Sequence, residues 1–115
     1  MSDLEQLILR LRAFADARDW EQFHSPKNLS MALIVEAAEL VEHFQWLTED
    51  QSRALSTEKQ REVELEMADI FIYLVRMADR LGVDLVSAAW RKIEINEGKY
   101  PVDKARGNAD KARTS

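Results

Sequence analysis

Two pairs of acidic residues, each lying inside an apolar run, place the strongest constraint on how this chain can fold. Glu36 and Glu39 are three residues apart, and so are Glu66 and Asp69. On a helix, residues three apart lie on the same face. At about 100° per residue, Glu36 points along the middle of the apolar stripe predicted for residues 28–47. Because a carboxylate carried into a core has a large desolvation cost, a compensating partner is required.

A divalent cation held between two helices is a partner that fits these residues. Four carboxylates meeting in one place repel one another, and a bound cation removes that conflict. Since all the ligand atoms are oxygen, they favour a hard ion, with Mg²⁺ first and Mn²⁺ as a substitute. The alternative is that both pairs lie on solvated helix faces, where acidic residues of this spacing are common.

Composition indicates a single helical globular domain. The 115 residues are 46% hydrophobic and 32% charged, with only three Gly and two Pro. The net charge of −5, without a basic stripe, argues against duplex nucleic acid as a partner. The absence of Cys excludes disulfides and Cys-ligated zinc. No apolar run approaches the roughly 18 residues of a membrane span, and the N-terminus lacks a signal-peptide pattern, so we expect a cytoplasmic protein.

Apolar periodicity predicts an all-α fold, a four-helix bundle. Ser25 and Pro26 are typical of a helix start, and Gly82 and Gly98 are typical of helix ends. A short helical turn is expected in the polar connection between the second and third helices. The predicted helices span 3–19, 27–47, 57–81 and 84–98, within a domain over 1–100 that is followed by a polar tail at 101–115.

Aromatic residues near the predicted acidic site are candidates for contact with a base. Trp20, Phe23 and His24 lie close together in the loop before the second helix. They can stack on a nucleobase and bond to its edge, or they can cap the end of the bundle core. If the second helix continues to residue 47, Trp46 lies beside Glu39 and forms an apolar wall near the metal.

The fourth predicted helix carries the chain's one aligned set of cationic and amide groups. Lys92, Asn96 and Lys99 share a face by the i, i+4, i+7 rule, and Tyr100 follows them. Such a face can hold phosphate oxygens and a sugar hydroxyl, although an ordinary solvated face is the alternative.

The third predicted helix is apolar on both sides of its acidic strip. We interpret this pattern as a subunit interface with the strip at the junction. The alternative is a central helix that is buried on most sides within one subunit.

Taken together, the motifs resemble the MazG-like, all-α nucleoside triphosphate pyrophosphohydrolases, and the dCTP pyrophosphatase branch in particular. The resemblance rests on the two acidic pairs, the stretch from Arg18 to His24 with Pro26 and Asn28, the stretch from Phe44 to Trp46, and the run from Lys92 to Val102. It implies a bundle that assembles as a homodimer or a dimer of dimers. It also implies Mg²⁺-dependent cleavage of a nucleoside triphosphate, dCTP or a modified dCTP, to the monophosphate and pyrophosphate, which removes unwanted nucleotides from the pool.

The resemblance also assigns roles to individual positions. It makes Glu36, Glu39, Glu66 and Asp69 metal ligands. It makes Trp20, Phe23, His24, Asn28 and Trp46 candidates for the base and sugar pocket, and Tyr73, Lys92, Asn96 and Tyr100 candidates for sugar and phosphate contacts. Lys92 or Lys99 would balance charge on the phosphate tail.

The chemistry expected is attack of water on the α-phosphorus, with Glu36 or Glu39 accepting its proton. Two other functions stay open. One is a non-enzymatic helical interaction module, and the other is an enzyme similar to phosphoribosyl-ATP pyrophosphohydrolases.

Overall fold

Helices are the only regular secondary structure in residues 1–111, the part of the chain that this computed structural model describes. The all-α prediction is therefore confirmed, and the last four residues of the predicted tail lie outside the described residues. The helices are α1 (Asp3–Ala17), α2 (Pro26–Glu42), α3 (Glu49–Ser52), α4 (Thr57–Leu81), α5 (Leu85–Lys99) and α6 (Val102–Ala105), with a 3₁₀ turn at Glu21–Phe23.

Local signals set the ends of the helices that carry the acidic pairs. Ser25 Oγ accepts a hydrogen bond from Asn28 N at 3.1 Å, and Pro26 occupies the first turn of α2. Ser56 caps α4, and Gly82 ends it in the left-handed conformation at φ 68°. The predicted span of α4, residues 57–81, is therefore confirmed. It could be predicted because the residues next to each end of the helix determine where it starts and stops.

The second helix ends five residues earlier than predicted, at Glu42. Thr48 and Gln51 form a capping box that starts α3, with bonds of 2.9 and 3.1 Å. The chain must leave α2 before that box, and it does so through turns such as Phe44 N to Val41 O at 2.9 Å. The helical placement of Trp46 was therefore wrong.

The described chain divides into two compact units, each of which is considered by itself. The first comprises Met1–Gly82 with α1 to α4, and the second begins at Val83 with α5 and α6. The predicted single domain over residues 1–100 stays a prediction.

The core of the first unit lies where α4 packs against α2 and α1. Glu36 and Glu39 lie near Glu66, whereas His43 Nδ1 is 3.1 Å from Lys59 Nζ. The sequence numbers thus rise along α2 as they fall along α4, so these helices are antiparallel. The buried apolar residues are Ala15, Leu29, Val63, Val75 and Ala78.

Several large apolar side chains on the same two helices remain exposed. Ile34 is 64% exposed, Leu65 70% and Met67 56%. Exposed apolar residues on adjacent helices are candidates for an interface, and the subunit interface drawn from the third predicted helix stays a prediction. Among the described residues, no helix combines the length and the apolarity that crossing a membrane needs.

We predict that Leu29→Ala lowers the free energy of unfolding by about 2–5 kcal/mol, because Leu29 is 1% exposed and its removal leaves a cavity. Urea denaturation followed by circular dichroism measures the change. The same deletion at Leu9, which is 45% exposed, is the control and should cost much less. Equal losses for the two variants would contradict the assigned core.

Candidate metal centre and adjoining cavity

Three carboxylates meet between α2 and α4. Glu36, Glu39 and Glu66 each offer an oxygen atom, and these atoms all lie within 4.8 Å of one another. The three-residue spacing places the first two on one face of α2, and antiparallel packing brings the third across from α4. We call these residues the carboxylate cluster.

The cluster is electrostatically unfavourable without a positive partner. Hydrogen bonding with Glu66 and Glu39, followed by burial, raises the pKa of Glu36 to about 8. The hydrogen bond with Glu36 favours ionised Glu66, but burial and the neighbouring Glu39 outweigh it and raise the pKa of Glu66. Protons are therefore held at this position well above the usual range of a carboxyl group.

One oxygen of the cluster lacks any partner within the described part of the chain. Glu66 Oε2 is shielded from solvent, and no hydrogen-bond donor reaches it. Such a group is costly unless it is paired. Three convergent carboxylates, one with an orphaned oxygen, are a donor set that suits a divalent cation with oxygen ligands. The cluster can therefore bind a metal ion.

The structure does not bring Asp69 into the carboxylate cluster, although the sequence predicts it as a fourth ligand. Asp69 lies about 60° around α4 from Glu66. Its charge still contributes to the raised pKa of Glu66. Its side chain lines a neighbouring cavity instead, so its role as a ligand stays a prediction.

A largely apolar cavity of about 330 Å³ lies between α1, the loop that follows it and α4. Three predicted substrate-binding residues, Trp20, His24 and Tyr73, are brought together here. Burial raises the pKa of Tyr73, so its hydroxyl stays protonated. The lining consists of Leu11, Phe14, Ala15, Trp20, His24, Asp69, Ile72, Tyr73 and Arg76.

The aromatic rings of the loop are fixed against α1. Trp20 meets Phe14 edge to face at 5.7 Å, and its ring centroid is 6.0 Å from that of His24. Burial, and then the nearby charge of Arg76, lowers the pKa of His24, so the imidazole is neutral at pH 7. Its Nδ1 is buried and has no partner among the described residues, which leaves a hydrogen-bonding atom for a ligand.

Other predicted base-pocket residues do not line this cavity. Phe23 is 58% exposed, and its carbonyl accepts a hydrogen bond from Asn28 Nδ2 at 3.0 Å, so this pair shapes the loop. Trp46 is 87% exposed and lies in the turns after α2. Their contacts with a substrate stay predictions.

The remaining predicted residues lie in the second unit. Lys92, Asn96 and Lys99 are on α5, and Tyr100 N donates to Asn96 O at 2.8 Å at its end. Lys99 and Tyr100 also line a cavity of about 200 Å³. The predicted placement of Lys92, Asn96 and Lys99 on one helix is therefore confirmed.

Sequence analysis missed an ionic network that includes Arg76 of the cavity lining. Arg76 and Arg80 on α4 both bind Glu21, and Asp79 binds Arg12 of α1. The available signal was Arg76 itself, a charged residue inside the apolar run of α4. Its partners could not be read from the sequence, because Glu21 is 55 residues away.

We predict that metal-free protein loses stability between about pH 4.5 and about pH 8. The pKa of Glu36 is higher in the folded than in the unfolded state, so the folded state binds more protons in this window and stability falls as pH rises. Glu36→Gln should flatten this dependence and abolish the rise in Tm on adding Mg²⁺. Differential scanning fluorimetry with chelator or Mg²⁺ measures both effects.

Glu64→Gln is the matched control, because Glu64 is exposed on α4 and has no ion pair among residues 1–111. It should behave as the unchanged protein does. A Glu36→Gln variant that kept the full Mg²⁺ response would contradict a metal site at the cluster.

Comparison with known proteins gives consistent results. The model of the MazG-like family matches residues 31–113. The chain is 46% identical to dCTP pyrophosphatase 1 of Bos taurus and 44% identical to that of Homo sapiens, over 90% of this chain and 63% of each relative. The chain thus spans less than two thirds of the length of these relatives. A crystal structure of a pyrophosphatase from Archaeoglobus fulgidus superposes with a TM-score of 0.83 at 40% identity, over 88% of this chain and 94% of that one.

Proposed function

Because the chain belongs to the MazG-like family, we propose that it is a divalent-metal-dependent nucleotide pyrophosphohydrolase. It cleaves a nucleoside triphosphate to the monophosphate and pyrophosphate. The observation that carries the proposal is the carboxylate cluster, with its orphaned Glu66 Oε2, next to a cavity lined by aromatic rings. Relatives named dCTP pyrophosphatase 1 support dCTP or a modified dCTP as the substrate.

In this proposal the carboxylate cluster binds the metal ion and the adjoining cavity binds the base of the substrate. Glu36, Glu39 and Glu66, joined by Asp69, hold Mg²⁺, for which Mn²⁺ can substitute. The cavity takes the base, since its volume of about 330 Å³ is within the range of small-molecule sites. Trp20 offers a ring for stacking, and His24 Nδ1 and the Tyr73 hydroxyl offer polar contacts to the sugar or the base edge.

The reaction is attack of water on the α-phosphorus, with pyrophosphate as the leaving group. Mg²⁺ supplies neutralisation of phosphate charge and an orienting centre for the substrate. Glu36 or Glu39 accepts the proton of the attacking water at a carboxylate oxygen. Cys is absent from the chain and no Ser/His/Asp arrangement is evident in its sequence, so direct attack by water is favoured over a covalent intermediate.

Assembly completes the site in this proposal. The exposed apolar residues of α2 and α4 favour a homodimer or homotetramer. Lys92, Asn96, Lys99 and Tyr100 then contact the phosphates and the sugar, while Phe23, Asn28 and Trp46 border the base pocket. We also propose that residues 1–100 form one domain and that the protein is located in the cytoplasm. Duplex nucleic acid is not a partner in this proposal.

A panel of common and modified deoxynucleoside triphosphates, assayed with Mg²⁺, tests the proposed reaction. We expect release of pyrophosphate with the monophosphate, and the fastest turnover with a cytosine nucleotide. Release of single phosphates would contradict the reaction. Glu39→Gln should lower kcat about a hundredfold or more, because the variant loses a metal ligand and a candidate base, whereas Glu64→Gln should leave kcat unchanged.

Trp20→Ala should raise KM for the preferred nucleotide about tenfold, because one stacking ring is removed from the cavity. Its kcat and its Tm response to Mg²⁺ should stay near those of the unchanged protein, since Trp20 does not belong to the carboxylate cluster. Steady-state kinetics and fluorimetry separate the two effects. A variant with reduced kcat and unchanged KM would contradict the assignment of the cavity to the base.

A further inference from the structure

A single carboxylate, that of Glu21, holds the loop between α1 and α2 against α4. Arg76 Nη2 donates to Glu21 Oε1 at 2.7 Å, and Arg80 Nη1 donates to Glu21 Oε2 at 2.6 Å. Arg80 Nε also donates to the carbonyl oxygen of His24 at 3.1 Å. We call Glu21, Arg76 and Arg80 the loop clamp.

The burial of Arg76 makes its pairing with Glu21 important for the position of the loop. Arg76 is only 3% exposed, and a buried guanidinium must be paired to be tolerated. Its second carboxylate partner, Asp79, lies at 3.6 Å and is itself held by Arg12. The buried Arg76 thus depends on the Glu21 carboxylate as its nearest acidic partner, at 2.7 Å.

The loop needs such an anchor because its backbone is not relaxed. Asp19 has a φ of 54°, a left-handed conformation that a residue other than glycine adopts at an energetic cost. The turn is held on one side by Trp20 N, which donates to Ala15 O at 2.9 Å. On the other side, Glu21 and the His24 carbonyl connect the loop to α4.

The clamp acts directly on the cavity. Glu21 lies between Trp20 and His24, which both line the cavity, and Arg76 forms part of the same wall. We propose that Glu21, held by Arg76 and Arg80, is a positioning residue that sets the affinity of the cavity for the nucleobase by fixing Trp20 and His24. This inference rests on the proposed function and adds a determinant of substrate affinity outside the metal centre.

Arg80→Lys and Glu21→Gln test the clamp. Lysine keeps the positive charge, but it cannot bridge Glu21 and the His24 carbonyl as the guanidinium does. Loss of a charge-assisted hydrogen bond should raise KM roughly tenfold, with kcat unchanged because the carboxylate cluster is intact. Should Glu21→Gln fail to fold, Arg80→Lys still provides the test, since the Arg80 side chain is 38% exposed.

Fluorescence gives a readout that does not depend on catalysis. In a background with Trp46→Phe and Trp90→Phe, Trp20 is the remaining indole. Acrylamide quenching of Trp20 should increase when either clamp variant is introduced, because the loop is released. Unchanged quenching in a folded variant would overturn the proposal.

Asp79→Asn is the matched control. It removes the pairing with Arg12 and weakens that with Arg76. It leaves in place the bonds that Arg76 and Arg80 make to Glu21 and the bond from Arg80 to the His24 carbonyl. It should lower Tm without changing Trp20 quenching or KM. If it raised both as much as Arg80→Lys does, general loosening would explain the effects and the clamp would be refuted. A protein that hydrolyses no nucleoside triphosphate would overturn the proposed function, while quenching would still support or refute the clamp.

Discussion

The packing of two antiparallel helices, which holds three carboxyl groups close together, is the constraint on which the rest of this structure depends. Helix α2 packs against α4, and Leu29 of α2 and Val63 and Val75 of α4 are buried in the core. That packing brings Glu36 close to Glu66 and raises the pKa of both. Packing thus holds three carboxyl groups so close together that Glu36 keeps its proton up to about pH 8 without a cation. A bound cation makes the ionised arrangement favourable.

One face of α4 connects the metal centre to the cavity. Glu66, Asp69, Tyr73 and Arg76 lie within about 80° of one another around the helix, at successive turns. Along this face, Glu66 belongs to the carboxylate cluster, Asp69 and Tyr73 line the cavity, and the buried Arg76 binds Glu21. A triphosphate that lies along α4 would place its phosphates near the first of these residues and its base near the others.

Local signals were sufficient to predict α4 and the acidic pairs, because caps and three-residue spacing act within a few residues. Prediction failed where a distant or competing contact decides. Trp46 does not lie in α2 as predicted, because the capping box at Thr48 starts the next helix and α2 must end before it. The pairing of Glu21 with Arg76 joins elements 55 residues apart, and no sequence pattern encodes it. The position of Asp69 beside the cavity, outside the carboxylate cluster, is likewise set by packing, and its role as a metal ligand stays a prediction.

The most direct test of the central claim is an anomalous difference map from crystals of the full chain soaked in Mn²⁺. Our account predicts a peak within coordination distance, about 2.0–2.6 Å, of carboxylate oxygens of Glu36, Glu39 and Glu66. A map with no peak between α2 and α4, with these three side chains directed outward into solvent, would contradict it.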